Sequence, residues 1–156
     1  MNGFTPDQVG GDVEAALSAL AHEPRVAPGR VGLVGYCMGG RQAFLLAARL
    51  GDRAAAMASI HGGGLVRPDP SSPHLGAPRI RARCYFGVAD KDNSCTAADC
   101  ETLGAALTAA GVAHQIEPYP GKLHGFAMSD MSVYDEEACA QHWERVLSLF
   151  GQTLGR

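Results

Sequence analysis

The residue whose surroundings favour chemistry most clearly is Cys37, at the centre of the segment Gly35-Tyr36-Cys37-Met38-Gly39. This segment is the G-x-S-x-G nucleophile elbow with cysteine in place of serine, a sharp turn that joins a strand to a helix. At a helix N-terminus, unpaired N–H groups and the positive end of the helix dipole favour a thiolate over a thiol. We therefore predict that Cys37 is a nucleophile held above the edge of a sheet.

The residues on either side of the elbow predict the strand and the helix that it needs. Residues 31–34 form a short apolar run typical of a buried parallel strand, and residues 44–50 have the spacing of an amphipathic helix. Gly35 and Gly39 are expected to be required, because a Cβ at either position would collide with the strand or the helix. Without this context, a buried and inert cysteine in a glycine-rich turn is the alternative interpretation.

A cysteine that attacks a carbonyl needs a base, and the base needs a group that fixes its tautomer and stabilises its cation. His124 follows a predicted strand, and Asp90 follows the strand before it. The chain order nucleophile, acid, histidine is the order used by the α/β-hydrolase fold. We predict a triad of Cys37, Asp90 and His124, and we interpret Asp92 as a solvated carboxylate in a turn.

Other residues near the elbow are candidates for binding the substrate. The backbone N–H of Met38, the residue after the nucleophile, is predicted to donate to the oxyanion of the tetrahedral intermediate. Tyr36, His61 and Phe126 are predicted to line the substrate site. For Tyr36 simple packing is the alternative, and for His61 the alternative is a structural histidine at the end of a strand.

Strands and helices alternate along the whole chain. Strands are predicted over residues 31–34, 54–60, 80–86 and 112–119, and helices are predicted from Thr5-Pro6 onward, over 44–50, from Thr96 to Gly111, and over 136–149. Residues 22–30 and 65–79 are predicted to be loops. This order implies right-handed crossovers and a mostly parallel sheet with helices on both faces, in one α/β domain over residues 1–156.

Composition narrows the function classes. The chain has 156 residues, and its net charge of -3 gives no electrostatic reason to bind nucleic acid. It has no apolar run long enough to span a membrane, and from its first residues we expect no signal peptide. Five cysteines, an odd number without framework spacing, indicate free thiols and a reducing, cytoplasmic setting. The pair Cys95 and Cys100 is too weak a signature for a metal site, so we expect no metal and no cofactor.

Four segments, at residues 31–40, 61–65, 87–90 and 119–126, together resemble the dienelactone hydrolase family. They read VGLVGYCMGG, HGGGL, GVAD and YPGKLHGF. The resemblance implies a minimal α/β-hydrolase with a Cys-Asp-His triad, which corresponds here to Cys37, Asp90 and His124. It also implies hydrolysis of a small ester or lactone through a thioester acyl-enzyme, without a cofactor.

Members of that family are usually longer at the front, so we expect an N-terminally shortened fold that corresponds to the C-terminal two-thirds of the usual one. The second oxyanion donor, which this fold takes from an earlier loop, has no candidate in residues 1–30. Relatives that cleave dienelactone look to carry an arginine where this sequence has Met128.

A shortened sheet would leave the elbow strand unpaired on one side, which predicts either a homodimer or a longer parent protein. The alternative to an enzyme is an incomplete, non-catalytic module that acts through self-association or a partner.

Overall fold

The described part of the chain contains one sheet of four parallel strands, which lie side by side in chain order, and this confirms the predicted α/β class. The computed structural model describes residues 5–27 and 29–155, so the predicted loop over 22–30 is described except at Pro28. The strands are β1 (Val31–Tyr36), β2 (Ala54–Ile60), β3 (Arg83–Ala89) and β4 (His114–Tyr119). The α-helices are α1 (Pro6–Leu20), α2 (Met38–Leu50), α3 (Ala97–Ala109) and α4 (Glu136–Leu154).

Helices cover both faces of the sheet, as predicted. Successive residues of β2 point to opposite faces, and each face belongs to a separate core. Met57 packs into the core that contains Phe44 of α2 and Leu107 of α3, whereas Ala58 belongs to the core that contains Val146 of α4. In the described part of the chain, no helix is both long enough and apolar enough to cross a membrane.

The helices begin where the sequence contains capping residues. Thr5 and Gln8 form a capping box at the start of α1, with Pro6 in its first turn, and Thr96 and Asp99 form another at the start of α3. Side-chain oxygens there satisfy N–H groups that have no partner inside the helix.

The predicted loop over residues 65–79 and the predicted start of β3 both need correction. A 3₁₀-helix spans Pro73–Arg79, and its Ala77 is fully buried in the same core as α2. The N–H of Ile80 donates to the carbonyl of Ala77, so Ile80 caps this helix, and β3 starts only at Arg83. The alternating pattern at 80–86 indicated a strand correctly but misplaced its beginning.

The elbow depends on glycine at positions 35 and 40, and not at position 39 as predicted. A Cβ on Gly35 would lie 2.0 Å from the carbonyl oxygen of Gly39, and a Cβ on Gly40 would lie 2.5 Å from Ser59 Oγ and 3.0 Å from the Cα of Gly62. A Cβ on Gly39 would meet no such atom within 4 Å. Helix α2 therefore touches the ends of β1 and β2 through its third residue, and its second residue faces free space.

This difference predicts opposite effects for two neighbouring substitutions. Gly40→Ala should lower the free energy of unfolding by about 1–3 kcal/mol, because the added methyl group overpacks the contact with Ser59. Gly39→Ala should leave it unchanged or raise it by up to about 1 kcal/mol, because alanine favours a helix more than glycine does. Urea unfolding of the two variants measures both values, and a larger loss for Gly39→Ala would contradict the assignment.

The free edge of β1 is partly open to solvent, although the sequence predicts a buried strand. Val34 is 39% exposed, and among residues 5–27 and 29–155 β1 pairs only with β2. On α4, which packs beside β1, Trp143 and Leu147 are 44% and 63% exposed. The Trp143 ring lies 6.4 Å from the ring of Tyr36 at the end of β1. Apolar side chains therefore border an unpaired strand edge.

We expect two copies of this chain to associate along β1, because unpaired backbone groups and adjacent apolar side chains both favour pairing. Sedimentation velocity at micromolar concentration should then show a dimer. A lysine at an exposed edge position opposes pairing, so Val34→Lys should shift the protein toward monomer. Leu75→Lys, at an exposed leucine of the 3₁₀-helix, is the control. A stable monomer of the unaltered chain would refute the expectation.

Candidate active site

Each strand of the sheet is followed by one residue of the candidate site. Cys37 comes directly after β1 and His61 directly after β2. Asp92 lies three residues beyond β3, and His124 lies five residues beyond β4. The carboxyl ends of parallel strands share one edge of the sheet, and ligands of open α/β sheets bind at that edge.

Cys37 and His61 form a strained pair. Cys37 Sγ lies 3.3 Å from His61 Nδ1, and both residues adopt positive φ, 54° at Cys37 and 38° at His61. Such angles are costly for residues other than glycine and persist only where the surroundings enforce them. The N–H of Cys37 donates to the carbonyl of Ile60, and the N–H of His61 donates to the carbonyl of Gly87. Each residue is therefore fixed by hydrogen bonding to the neighbouring strand.

Asp92 and His124 form a second pair, joined by a hydrogen bond. The Asp92 Oδ2 atom lies 2.6 Å from His124 Nδ1, and Asp92 Oδ1 accepts hydrogen bonds from the N–H and the hydroxyl of Ser94 at 2.8 and 2.7 Å. Burial by itself would raise the pKa of Asp92, but the hydrogen bonds from Ser94 and His124 outweigh it and hold the pKa below its usual value. Asp92 is therefore ionised at neutral pH and can fix the tautomer of His124.

The prediction that Asp90 is the acid of the triad is wrong about position. Asp90 is exposed, whereas Asp92 is only 8% exposed and contacts His124. The N–H of Asp92 donates to the carbonyl of Ala89, which closes a turn at the end of β3 and brings the second aspartate inward. The N–H of Lys91 donates to the carbonyl of Lys122 and so ties this turn to the loop that carries His124.

The two pairs meet at Cys37. The Cys37 sulfur, a ring nitrogen of His61 and a ring nitrogen of His124 all lie within 4.8 Å of one another. His124 is therefore near the sulfur, and catalytic hydrogen bonds are often long before substrate binds. A thiolate and two imidazoles are also donors that zinc accepts, so these three side chains could hold such an ion.

Burial controls the protonation of the site. It raises the pKa of the Cys37 thiol, and the negative charge of Asp92 raises it further. This opposes the helix dipole, which led us to expect a thiolate. Burial also lowers the pKa of His61 to about 4, with a smaller contribution from His124. At neutral pH the resting site therefore contains a thiol next to a neutral imidazole.

Two of the residues predicted to line the substrate site, His61 and Phe126, are buried and pack beneath the site instead of facing a substrate. Phe126 is fully buried, stacked on Tyr119 at 4.7 Å and edge-on to His61 at 5.3 Å. His61 is 1% exposed, so its ring contacts Cys37 and is shielded from solvent. Phe126 thus packs under His61 and offers no surface to a substrate, which corrects its predicted role.

Tyr36 is half-buried and is held by a residue that the sequence analysis missed. Its hydroxyl lies 3.0 Å from Nε2 of His142, which is fully buried on α4. The spacing of His142 in the sequence could have predicted its burial, because it lies four residues from both Ala138 and Val146. All three lie on the buried side of α4. The side chain of Met38 is exposed, and its N–H is the first of α2, so its predicted role as an oxyanion donor stays a prediction.

The buried His61 predicts a loss of stability in mild acid. The unfolded chain binds a proton on this residue below about pH 6.5, whereas the folded protein does so only below about pH 4. The unfolded state binds more protons between these values, so stability falls as the pH falls through that window. Between about pH 7 and about pH 5 the loss from this residue should be about 2 kcal/mol.

Urea unfolding of His61→Asn tests this effect, since asparagine does not titrate here and tolerates positive φ. The variant should lose about 2 kcal/mol less than the parent protein over the same pH interval. His22→Asn, at an exposed histidine, is the control and should behave like the parent. Equal pH dependence in parent and His61→Asn would show that His61 is not responsible.

Cys37 lies in a strained turn between a parallel strand and a helix, and an aspartate and a histidine follow later strands. This arrangement is the nucleophile elbow of the α/β-hydrolase class. Residues 2–154 match the model of the dienelactone hydrolase family, so the chain belongs to that family.

Individual relatives agree with this assignment. A provisionally named carboxymethylenebutenolidase of Synechocystis sp. is 34% identical over 142 residues, which are 89% of this chain and 57% of the relative. The carboxymethylenebutenolidase of Pseudomonas putida is 33% identical over 138 residues, 88% of this chain and 54% of the relative. A crystal structure from Klebsiella pneumoniae, provisionally titled a dienelactone hydrolase, has a TM-score of 0.85 at 29% identity and covers 94% of this chain and 62% of that one. The chain thus spans little more than half the length of these curated relatives.

Proposed function

We propose that this protein hydrolyses a small carboxylic ester or lactone with Cys37 as a covalent nucleophile, without a cofactor. The observation that carries the proposal is the Asp92–His124 pair, held at 2.6 Å, with a ring nitrogen of His124 within 4.8 Å of Cys37 Sγ. A nucleophile, a base and a group that orients the base are the components that acyl transfer requires.

In the first step, Cys37 Sγ attacks the carbonyl carbon and His124 takes the thiol proton. Because burial keeps the resting sulfur protonated, this transfer accompanies the attack. The N–H of Met38 donates to the developing oxyanion. Asp92 stabilises the imidazolium, which then protonates the leaving alkoxide. The product of this step is a thioester on Cys37 and the released alcohol, or the ring-opened chain of a lactone.

In the second step, His124 removes a proton from water, and the resulting hydroxide attacks the thioester. The carboxylic acid leaves, and the proton returns from His124 to the sulfur of Cys37. His61 stays neutral throughout, because its pKa of about 4 is far below neutral pH.

His61 positions the sulfur. Its Nε2 atom is buried and has no hydrogen-bond partner among the described residues, so one ring nitrogen is unsatisfied in either tautomer. An orphaned N–H is rarer in buried sites than an orphaned acceptor, which favours the proton on Nδ1. Nδ1 then donates to Cys37 Sγ and stabilises negative charge on the sulfur without adding a positive charge to the site.

The names of the relatives support a lactone or another small ester as substrate. Met128 stands where dienelactone-cleaving relatives look to carry an arginine, so we propose a substrate without a carboxylate at that position. Five free cysteines, one of them the nucleophile, suit a reducing cytoplasm.

Turnover of p-nitrophenyl acetate by a matched set of variants tests the proposal. Cys37→Ala should abolish turnover, because the thioester cannot form. Asp92→Asn should lower the rate by roughly 10⁴-fold, since the amide favours the wrong tautomer of His124. Asp90→Asn, at the exposed aspartate two residues away, should change it little.

Two results would count against the proposal. If Cys37→Ala and the parent protein hydrolyse the ester equally, the chain is the non-catalytic module that acts through self-association or a partner. If Asp90→Asn costs more than Asp92→Asn while both variants keep their unfolding midpoints, the acid has been assigned to the wrong residue.

A further inference from the structure

Cys95 and Cys100, which the proposed hydrolysis does not use, touch each other at the start of α3. Their sulfur atoms lie 3.8 Å apart. Cys95 immediately precedes the N-cap Thr96, and Cys100 is the fourth residue of the helix. A hydrophobic staple joins these two positions in many helices, because packing between them fixes the direction in which the chain enters the helix. Here both members of the staple are thiols.

The two thiols differ in environment. Cys95 is 4% exposed in the main core, whereas Cys100 is half-buried. A hydrogen bond from Cys95 lowers the pKa of Cys100, and the same contact raises the pKa of Cys95. Thiolates are the reactive form of cysteine, and access to the sulfur also governs its rate of exchange. An incoming reagent therefore reacts first with the sulfur of Cys100, which is the attacking thiol. The more deeply buried Cys95 is the resolving thiol.

We propose that Cys95 and Cys100 are a thiol–disulfide exchange site that closes to an intramolecular disulfide when the protein meets a small-molecule disulfide such as oxidised glutathione. The Cys100 thiolate attacks one sulfur of the reagent, and the first glutathione leaves as a thiolate. Cys95 then gives its proton to solvent base, attacks the Cys100 sulfur and displaces the second glutathione. Two protein thiols are oxidised, the reagent is reduced to two thiols, and their two protons come from Cys95 and Cys100.

The position of the two sulfurs allows the disulfide to form, and the disulfide would in turn restrain the turn that carries Asp92. The sulfurs must approach from 3.8 Å to about 2.05 Å, which rotation of two side chains on adjacent segments can supply. The N–H of Cys95 donates to the carbonyl of Asp92, and Ser94 between them holds the Asp92 carboxylate. The new bond therefore fastens the turn that carries the acid of the active site to the first turn of α3.

The experiment uses the full chain with Cys37→Ala and Cys139→Ala, which removes the nucleophile and the half-buried thiol of α4 as competing thiols. After incubation of the folded protein with oxidised glutathione, intact mass should show the loss of two hydrogen atoms and no retained glutathione. Peptide mapping should join Cys95 to Cys100. Adding Cys95→Ser or Cys95→Ala should leave a stable glutathione on Cys100, because the resolving thiol is gone. Adding Cys100→Ser should leave Cys95 unmodified, because it is buried.

Closure should also be visible in the folded protein by hydrogen exchange. The amides of Ser94 and Cys95 should exchange at least several-fold more slowly in the oxidised form than in the reduced form, since their turn is now tethered. A glutathione retained on Cys100 while Cys95 is present would overturn the proposal. Failure of Cys100 to react in folded protein, when urea-unfolded protein reacts readily, would overturn it as well.

Discussion

The close approach of α2 to the ends of β1 and β2 is the constraint on which the rest of the structure depends. Gly35 and Gly40 have no side chains, so the helix can begin one residue after Cys37 and still lie against Ser59 and Gly62. A larger residue at either glycine would move the helix and with it the sulfur. The backbone strain at Cys37 is the local cost of this approach, and burial of α2 residues such as Phe44 and Ala47 in the core offsets it.

The protonation states of the side chains at the site depend on the same tight packing. Water is largely excluded from His61, so its imidazole is neutral, and the thiol beside it is protonated. Asp92 is the exception, since two hydrogen bonds from Ser94 and one from His124 keep the buried carboxylate charged. The negative charge of Asp92 lies next to His124, where it would stabilise an imidazolium formed during the reaction, and it disfavours a negative charge on the Cys37 sulfur.

The sequence patterns predicted the order of the strands and helices well, but they predicted the contacts of individual residues less well. The elbow at Cys37 and the histidine at 124 were predictable because each follows a recognisable strand end. The choice between Asp90 and Asp92 was not predictable, because it depends on a turn closed by the carbonyl of Ala89 that spacing alone does not reveal. Gly39 and Gly40 are indistinguishable in the sequence, and they differ in the structure because Gly40 alone lies against Ser59 and Gly62.

The distribution of the site over four different strand ends also affects how it forms. The groups at Cys37, His61, Asp92 and His124 are separated in sequence by whole crossover units, so local contacts alone cannot bring them together. Pairing of parallel strands over such separations is slow, because each pairing must first close a long loop. The site is complete only when β4 has joined the sheet and carried His124 to Asp92. Its geometry therefore depends on the pairing of β3 with β4 as much as on the pairing of β1 with β2, and any catalysis would report on the completed fold rather than on a folding intermediate.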